Sequence, residues 1–304
     1  MKLLNPDVID FSKYLESPSD YANVKPASCY KDEIIELFKN APKDTGVVLP
    51  WQFTEDKIRI RPGELSIWAG INGHGKSLLL SMICLWQMAC RQKICIASME
   101  MEPRKTMYRM ARQFIGSEGA HADDIEKFTT WTDGRLWLYD QMGTVQFDRM
   151  IALIRYCHEE LELDQFVIDS LMKCGIGSDD YNKQKDFVDE LSTLAKDTGI
   201  HIHLVAHSRK KETEYQQIGK FDIKGASEIT DMADNVFTLW RDKKKEEKVK
   251  AGEMVDCPDA VLVCDKQRHG EWEGRIGLFF HGPSCQFQQA QSPYPYKGPF
   301  TNEL

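Results

Sequence analysis

A short segment carries the residues best suited to chemistry, because positions 70–77 read Gly-Ile-Asn-Gly-His-Gly-Lys-Ser. In this G-x-x-x-x-G-K-S spacing, glycines allow successive backbone N–H groups to surround a phosphate. The motif lies between the apolar run 65–69 and a leucine-rich helical pattern, so the helix N-terminus adds its positive dipole end. Lys76 can reach the β- and γ-phosphates, and the Ser77 hydroxyl can ligate Mg²⁺. The sequence therefore predicts a site for Mg²⁺ and ATP, or another NTP or dNTP, formed by Gly70, Asn72, Gly73, His74, Gly75, Lys76, Ser77 and Leu78.

A phosphate site of this kind also needs a carboxylate that holds Mg²⁺ through water, commonly at the end of a neighbouring apolar strand. Three aspartates follow apolar runs, namely Asp140, Asp169 and Asp265. We choose Asp169, because Phe-Val-Ile precedes it and a polar loop that contains glycine follows it. Asp140 is the second choice, and a structural aspartate at a strand end is the alternative for that position.

Hydrolysis of a triphosphate requires a general base that orients the attacking water. Glu100 comes just after the apolar run 94–98, the first such run after the P-loop helix. We expect that run to lie beside the P-loop strand, which would turn Glu100 toward the γ-phosphate. A glutamate at a helix N-terminus is the alternative, since Glu102 and Pro103 follow. His207, at the end of the run 202–206, stands where a γ-phosphate sensor could lie, although a lone histidine is more often structural.

Short apolar runs alternate with helical patterns from Arg61 onward. Continuous apolar strands with helices between them predict an α/β fold with a mostly parallel sheet covered on both faces. The last runs have no helix between them and predict an antiparallel extension. The lysine-rich segment 241–250 mixes both charges and indicates a solvated excursion between two strands. The predicted strands are 65–69, 94–98, 136–139, 166–168, 202–206, 236–240, 260–264 and 276–280, and the predicted helices are 77–91, 103–115, 146–161, 184–197 and 226–233.

Composition limits the class of protein. The 304 residues carry a formal net charge of −8, which argues against a surface that coats nucleic acid but allows a local basic channel. Nine cysteines without any C-x-x-C spacing indicate neither a disulfide framework nor a zinc site. No apolar window approaches the ~18 residues of a membrane span, and the start lacks a signal-peptide pattern. We therefore expect a soluble, cytoplasmic protein that does not act at a membrane.

Taken together, these motifs resemble the RecA-like motor domain of the ring-shaped replicative DNA helicases, a group that contains DnaB-type helicases, phage primase-helicases and Twinkle. The resemblance covers about residues 45–290. Segments 61–77 and 98–103 look like the first two family motifs, and the glutamate of the second is the catalytic base, which favours Glu100. Segment 166–170 is similar to the Walker B strand, and segment 205–209 resembles the motif whose Gln or His couples the γ-phosphate to DNA. Segments 222–241 and 265–270 complete the match.

The resemblance implies an ATP-driven DNA helicase with active sites completed in trans inside a homo-hexamer. In that interpretation Arg268 is the arginine finger and Lys266 is its companion, whereas a charged β-turn is the alternative. Arg241 and either Phe280 or His281 would clamp the nucleobase. The RecA-like fold would have an N-terminal arm and linker helix over 1–45, a motor domain over 46–292 and a tail over 293–304. The short amphipathic helix near 30–40 would dock on a neighbouring subunit or pack on its own domain.

The resemblance also implies that single-stranded DNA passes through the ring from 5′ to 3′ and that two basic loops contact its phosphates. The first loop spans 172–185 and the second spans 208–224. A solvated loop charge is the alternative for most of these cations, but Arg209 and Lys224 fall on family motifs. The predicted DNA-binding residues are Lys173, Lys183, Lys185, Arg209, Lys210, Lys211, Lys220 and Lys224.

The chain departs from the family in having no primase module and no zinc-binding module. We therefore expect a separate primase, and a loader as a further partner, at replication forks. A compact motor of this kind suits a phage or plasmid system in a bacterial host cell. The competing hypotheses are a RecA-type recombinase or filament former, a small-molecule P-loop kinase, and a non-enzymatic loader or scaffold.

Overall fold

The computed structural model describes residues 3–4, 26–39, 46–177, 180–208, 219, 222–223 and 226–296. Its strands are β1 (Leu3–Leu4), β2 (Val47–Val48), β3 (Arg59–Ile60), β4 (Leu65–Gly70), β5 (Ile94–Ser98), β6 (Leu136–Tyr139), β7 (Gln165–Asp169), β8 (His201–His207), β9 (Asn235–Arg241), β10 (Ala260–Gln267), β11 (Gly274–His281) and β12 (Gln286–Gln288). Its α-helices are α1 (Lys31–Lys39), α2 (Lys76–Ala89), α3 (Pro103–Ile115), α4 (Ala122–Thr132), α5 (Phe147–Leu161), α6 (Tyr181–Thr198), α7 (Ala226–Met232) and α8 (Lys243–Lys250).

Ten of these strands form one sheet in the order β1-β6-β5-β7-β8-β4-β9-β10-β11-β12. Neighbouring strands pair in parallel from β1 to β9 and antiparallel from β9 to β12. The short strands β2 and β3 make a separate antiparallel pair. The predicted α/β class, with a parallel sheet and an antiparallel C-terminal extension, is confirmed.

Helices cover the two faces of the sheet, so the central strands are apolar throughout. Every residue of β4, β5 and β7 is buried, as expected for strands packed on both sides. Alternate residues of β4 serve the two cores: Leu65 and Ile67 pack with α5 and α6, whereas Trp68 packs with α2, α3 and α4. The alternation follows from the two-residue period of a strand.

The expected position of the strand 94–98 was wrong. This strand, β5, is separated from the P-loop strand β4 by β7 and β8. The chain leaves β4 through α2, skips two strand positions, and later fills them with β7 and β8. The order of strands along the chain can be read from the sequence, but the crossover distance depends on how the helices share the two faces.

The segment after Arg241 is also different from its prediction as a solvated excursion, because residues 243–250 form the helix α8. The Asp242 side chain accepts a hydrogen bond from the backbone N–H of Lys245 at 3.0 Å and so caps this helix. The Lys245 side chain is buried and pairs with Asp259 at 2.8 Å. Helix α4 was not predicted either. It begins at a capping box in which His121 and Asp124 satisfy each other's backbone N–H groups.

The predicted helix near residues 30–40 is present as α1, and several of its apolar side chains are in contact with water. Phe38 is 89% exposed and Ile34 is 47% exposed, and both lie on a helix whose charged residues occupy other positions. At the other end, Tyr296 packs on the core, since its backbone N–H donates to Gln286 Oε1 at 2.7 Å. Among the described helices, none has the length and apolar character needed to cross a membrane.

Candidate active site

The P-loop connects the end of β4 to the start of α2, with Gly75 as the residue before the helix. Gly75 has φ 92°, in the left-handed region that favours glycine. A Cβ on Gly70 would lie 2.6 Å from the carbonyl oxygen of Leu239, so no other residue fits there without movement of β9. These two positions bend the loop so that the first N–H groups of α2, which have no partner within the helix, face the phosphate site.

Lys76 folds back over the loop that precedes it. Its Nζ donates to the carbonyl oxygens of Gly70 at 2.8 Å and Ile71 at 3.1 Å. Burial lowers the pKa of Lys76 to about 8, while the nearby carboxylates of Asp169 and Glu100 oppose that shift. The ammonium group is therefore held among backbone oxygens, and a triphosphate would supply the negative charge that favours its protonated form.

This pKa predicts a pH dependence of ATP binding. Triphosphate oxygens favour charged Lys76 and raise its pKa in the complex, so affinity is complete below pH 8 and falls as pH rises above it. We expect the Kd for ATP, measured by calorimetry, to be about tenfold larger at about pH 9 than at about pH 7. In Lys76→Arg the cation stays charged at both pH values, so this dependence should vanish. A wild-type Kd that stays constant over this range would contradict the prediction.

Asp169 lies at the end of β7, close to Ser77 of the P-loop. Burial raises the pKa of Asp169, and a hydrogen bond from the Ser77 hydroxyl together with the charge of Lys76 counteracts the shift. The other two candidates lie elsewhere: Asp140 is exposed, and Asp265 accepts a hydrogen bond from Thr238 Oγ1 at 2.6 Å. Of the three aspartates, Asp169 is the one beside the P-loop.

The paired hydroxyl and carboxylate of Ser77 and Asp169 fit a magnesium ion that arrives with a nucleotide. Within the described residues, no group of three or more His, Cys, Asp or Glu side chains could hold a metal ion. Mg²⁺ does not require such a cage, because it commonly takes one or two protein oxygens and completes its shell with phosphates and water. A buried carboxylate beside the phosphate loop is the kind of oxygen ligand it uses.

Glu100, Ser170 and His207 meet next to this pair. The Ser170 hydroxyl donates to Glu100 Oε1 at 3.0 Å and lies 3.3 Å from His207 Nε2. Glu100 therefore lies at the site although β5 is not adjacent to β4, since the charge of Glu100 is near enough to affect the pKa of both Lys76 and Asp169. Ser170 was not singled out from the sequence, and its position directly after Asp169 is the signal that could have found it.

His74 ties the P-loop to the end of β9. Its Nδ1 accepts a hydrogen bond from the backbone N–H of Arg241 at 3.0 Å. The pKa of His74 is lowered to about 4, first by burial and then by the positive charges of Lys243, Lys76 and Arg241. The ring is therefore neutral at about pH 7. Its contribution to the structure is to fix the position of Arg241 relative to the P-loop.

Arg241 and Phe280 lie near each other at this edge of the sheet. The Arg241 guanidinium is 6.0 Å from the centre of the Phe280 ring, and it also forms an ion pair with Glu246 of α8. His281 faces different groups: its Nδ1 is 2.6 Å from Ser284 Oγ and its Nε2 is 3.2 Å from the Pro293 carbonyl oxygen. Of the two aromatic candidates, Phe280 is the one near Arg241.

Lys266 and Arg268 lie at the opposite edge of the sheet. Arg268 Nε is 3.2 Å from Asp234 Oδ1, and Asp234 receives the backbone N–H of Leu65, the first residue of β4, at 2.9 Å. Lys266 Nζ donates to the carbonyl oxygens of Thr230 at 2.9 Å and Asp231 at 2.8 Å. The length of β4, about 17 Å at the rise of a strand, separates this cluster from the P-loop of the same chain.

The two segments predicted to contact DNA leave the sheet side by side, after the paired strands β7 and β8. The first loop is shorter than expected, because α6 begins at Tyr181 under an N-cap from Asp180. Lys183 and Lys185 are therefore helical, and Lys183 pairs with Asp180 at 3.3 Å. Lys173 lies in a short 3-10 helix, Leu171–Lys173. Arg209, Lys210, Lys211, Lys220 and Lys224 lie outside the described residues.

A family model for the C-terminal domain of DnaB-like helicases matches residues 57–289. The chain belongs to this family. The match begins before β3 and ends after β12, so it contains the P-loop, Asp169, Glu100, His207 and the Lys266–Arg268 segment.

Similar proteins agree with this assignment to the DnaB-like family. A DNA helicase/primase of Enterobacteria phage T3 is 24% identical over 225 residues, which are 67% of this chain and 38% of that protein. The chain thus spans less than half the length of this relative. Among solved structures, a helicase-like ATPase domain superposes with a TM-score of 0.68 at 13% identity, covering 88% of this chain and 100% of that one.

A second solved structure is a DnaB-like replicative helicase described with its interactions with primase. Its TM-score is 0.66 at 12% identity, and the superposition covers 87% of this chain and 67% of that one. At these identities the two structures show the fold alone. They agree with the RecA-like arrangement of P-loop strand, flanking parallel strands and covering helices that is described above.

Proposed function

We propose that this DnaB-like chain is the motor of a hexameric helicase that uses ATP to move along single-stranded DNA and unwind duplex DNA. The observation that carries the proposal is the distribution of groups over the sheet. Lys76, Asp169 and Glu100 converge at one edge, where a triphosphate would bind, whereas Arg268 lies at the other edge. A single copy therefore has a phosphate site and, far from it, a cation suited to another copy's phosphate site.

The chemistry at the phosphate edge follows from the residue types. The P-loop amides and Lys76 would hold the β- and γ-phosphates, and Glu100 would orient and deprotonate the attacking water. Bound Mg²⁺ would neutralise part of the phosphate charge, and Ser77 and Asp169 are the residues that would hold it. His207 would hydrogen-bond a γ-phosphate oxygen and register whether that phosphate is present.

We assign Arg268 as an arginine finger and Lys266 as its companion, both acting on the nucleotide of the adjacent subunit. A heterologous interface of this kind forms a ring when its rotation closes, and six copies are our proposal from the family. The exposed apolar residues of α1, including Phe38 and Ile34, suit a helix that docks on a neighbouring copy. Residues 1–45 would then be the linker arm, 46–292 the motor and 293–304 the tail.

We propose that DNA phosphates meet the segments after β7 and β8 in the centre of the ring. Because β7 carries Asp169 and β8 carries His207, both segments start directly at the hydrolysis site. Loss of a γ-phosphate could thus move the contacts to the strand. Lys173, Lys183, Lys185, Arg209, Lys210, Lys211, Lys220 and Lys224 supply the positive charge in an acidic protein.

Partners and place of action are further proposals. The phage relative combines helicase with primase in its name, while this chain spans 38% of that protein, so we propose that priming comes from a separate primase activity and that a loader assists assembly. The same relative suggests a bacterial host cytoplasm as the place of action. Movement from 5′ to 3′ is the direction we expect.

The nucleobase is the part of the nucleotide that we expect Arg241 and Phe280 to hold. Phe280→Ala should raise the KM for ATP about tenfold with kcat little changed, because one stacking contact, common to bound substrate and transition state, is lost. Its matched control is His281→Ala, whose ring contacts Ser284 and Pro293 instead. If His281→Ala raises KM and Phe280→Ala does not, the assignment must be reversed.

The experiment that tests the proposed function is unwinding of synthetic forks by the purified chain. Forks with a 5′ tail, a 3′ tail or both are compared in the presence of ATP and Mg²⁺. We expect unwinding that requires the 5′ tail and fails in Lys76→Ala. DNA-stimulated ATP turnover without unwinding, together with open filaments in light scattering, would instead favour a recombinase.

A further inference from the structure

Ser170 lies between Glu100 and His207, two side chains to which the proposed function gives different tasks. Its Oγ is 3.0 Å from Glu100 Oε1 and 3.3 Å from His207 Nε2. Glu100 Oε1 and His207 Nε2 are 3.8 Å apart, which is too long for a direct hydrogen bond. The serine hydroxyl is therefore the polar link between them.

The direction of each hydrogen bond follows from the available protons. An ionised carboxylate can only accept, so the single hydroxyl proton of Ser170 points to Glu100. The Ser170 oxygen can then accept a hydrogen bond from His207 when Nε2 carries the hydrogen. The three groups form a chain in which His207 donates to Ser170 and Ser170 donates to Glu100, and each bond polarises the next.

The three residues differ in how firmly they are held. Ser170 is fully buried and directly follows β7, the middle one of the adjacent strands β5, β7 and β8. Glu100 lies just past β5, and its side chain is 43% exposed. His207 ends β8, and the chain continues from there into the segment that carries Arg209. The buried serine is thus a fixed point between a carboxylate that can rotate and a histidine attached to a proposed DNA contact.

We propose that Ser170 is a positioning residue that couples DNA engagement to ATP hydrolysis. Its hydroxyl occupies Glu100 Oε1 and leaves the second carboxylate oxygen for the attacking water. Its own orientation depends on His207, so a movement of the strand end at His207 on DNA binding changes how Glu100 is held. This role rests on the proposed helicase function and adds a path from the DNA segment to the general base.

The expected result is a loss of DNA stimulation in Ser170→Ala. We expect the ratio of ATP turnover with single-stranded DNA to turnover without it to fall about tenfold toward one, while the KM for ATP changes little. A residue that only supports packing would instead reduce stability without changing this ratio. The control is Ser192→Ala, another buried serine, whose only described side-chain bond is a 3.5 Å contact to the Met232 carbonyl oxygen.

A double-mutant cycle with His207→Ala tests the path itself. If Ser170 transmits the signal from His207, the stimulation ratio of the double variant should equal that of either single variant. Ser170→Cys provides a near-isosteric second variant that keeps the packing but has a weak donor. We expect it to lose stimulation as well, with reducing agent present because Cys174 lies nearby.

The outcomes separate this inference from the function on which it rests. Wild-type stimulation in both Ser170→Ala and Ser170→Cys, or losses that multiply in the double variant, would overturn the coupling role and leave the helicase proposal standing. Absence of ATP turnover in the wild-type chain, with and without single-stranded DNA, would contradict the proposed function and the inference together. Loss of stimulation in Ser192→Ala as well would also overturn a specific role for Ser170.

Discussion

Glu100→Gln is expected to reduce ATP turnover by about 10²- to 10⁴-fold, the usual contribution of a positioned general base. The amide has nearly the same shape and can still accept the hydrogen bond from Ser170, but it cannot take a proton from water. Binding of ATP should be retained, because Lys76, Ser77 and Asp169 are unchanged. Steady-state turnover and equilibrium binding of ATP, measured on the same preparation, separate the two effects.

The matched control for this prediction is Glu102→Gln, two residues further along the chain. Glu102 is on the surface and pairs with Arg104 at 2.6 Å and Lys105 at 3.7 Å, an exposed arrangement that contributes little to stability. We expect its turnover to stay within about twofold of the wild type. Full activity in Glu100→Gln, or equal losses in both variants, would show that Glu100 is not the base.

Arg268→Ala should reduce ATP turnover by about 10³- to 10⁵-fold, the range for removal of an arginine finger, with ATP binding retained. The structural reason is its distance from the phosphate site of its own chain, since Arg268 bonds to Asp234 at the far end of β4. A loss of hydrolysis from so remote a position requires that the residue act on another copy. Arg275→Ala, which removes an exposed arginine on β11, is the control and should stay active.

Mixing two inactive variants tests whether this action is in trans. A subunit with Lys76→Ala has no working phosphate site but still offers Arg268, whereas an Arg268→Ala subunit has the opposite defect. Mixed rings should therefore regain part of the turnover, with a maximum at intermediate ratios. Proportional loss at every ratio would exclude a trans finger and would return Arg268 to the role of a surface turn residue held by Asp234.

The parts of the site that could be predicted from sequence are those with local determinants. The P-loop is eight consecutive residues, and each strand that carries a site residue is a short apolar run whose ending can be read directly. Asp169 and Glu100 were found for this reason. Helix α8 and the early start of α6 were not, because their caps, Asp242 and Asp180, have no apolar period behind them that would distinguish a helix from a charged loop.

Contacts between strands had no such local signal. The sequence could rank Asp169 above Asp140, but only the order β7-β8-β4 brings Asp169 near Ser77 and leaves Asp140 exposed. The same order removed the expected neighbour relation between β5 and β4. Phe280 and His281 are adjacent in sequence, and the choice between them depended on the opposite directions of successive strand side chains.

Local spacing alone was enough to define the kind of chemistry, because a phosphate loop needs particular residues at particular positions, and these persist in any fold that contains the strand and helix around them. Which groups act together is a different matter, and it follows from the sheet order. Ser170 joins Glu100 to His207, and Arg268 is separated from its own P-loop, only because strands distant in the chain are neighbours in the sheet. That arrangement depends on the packing of helices on both faces, a property of the whole chain rather than of any segment.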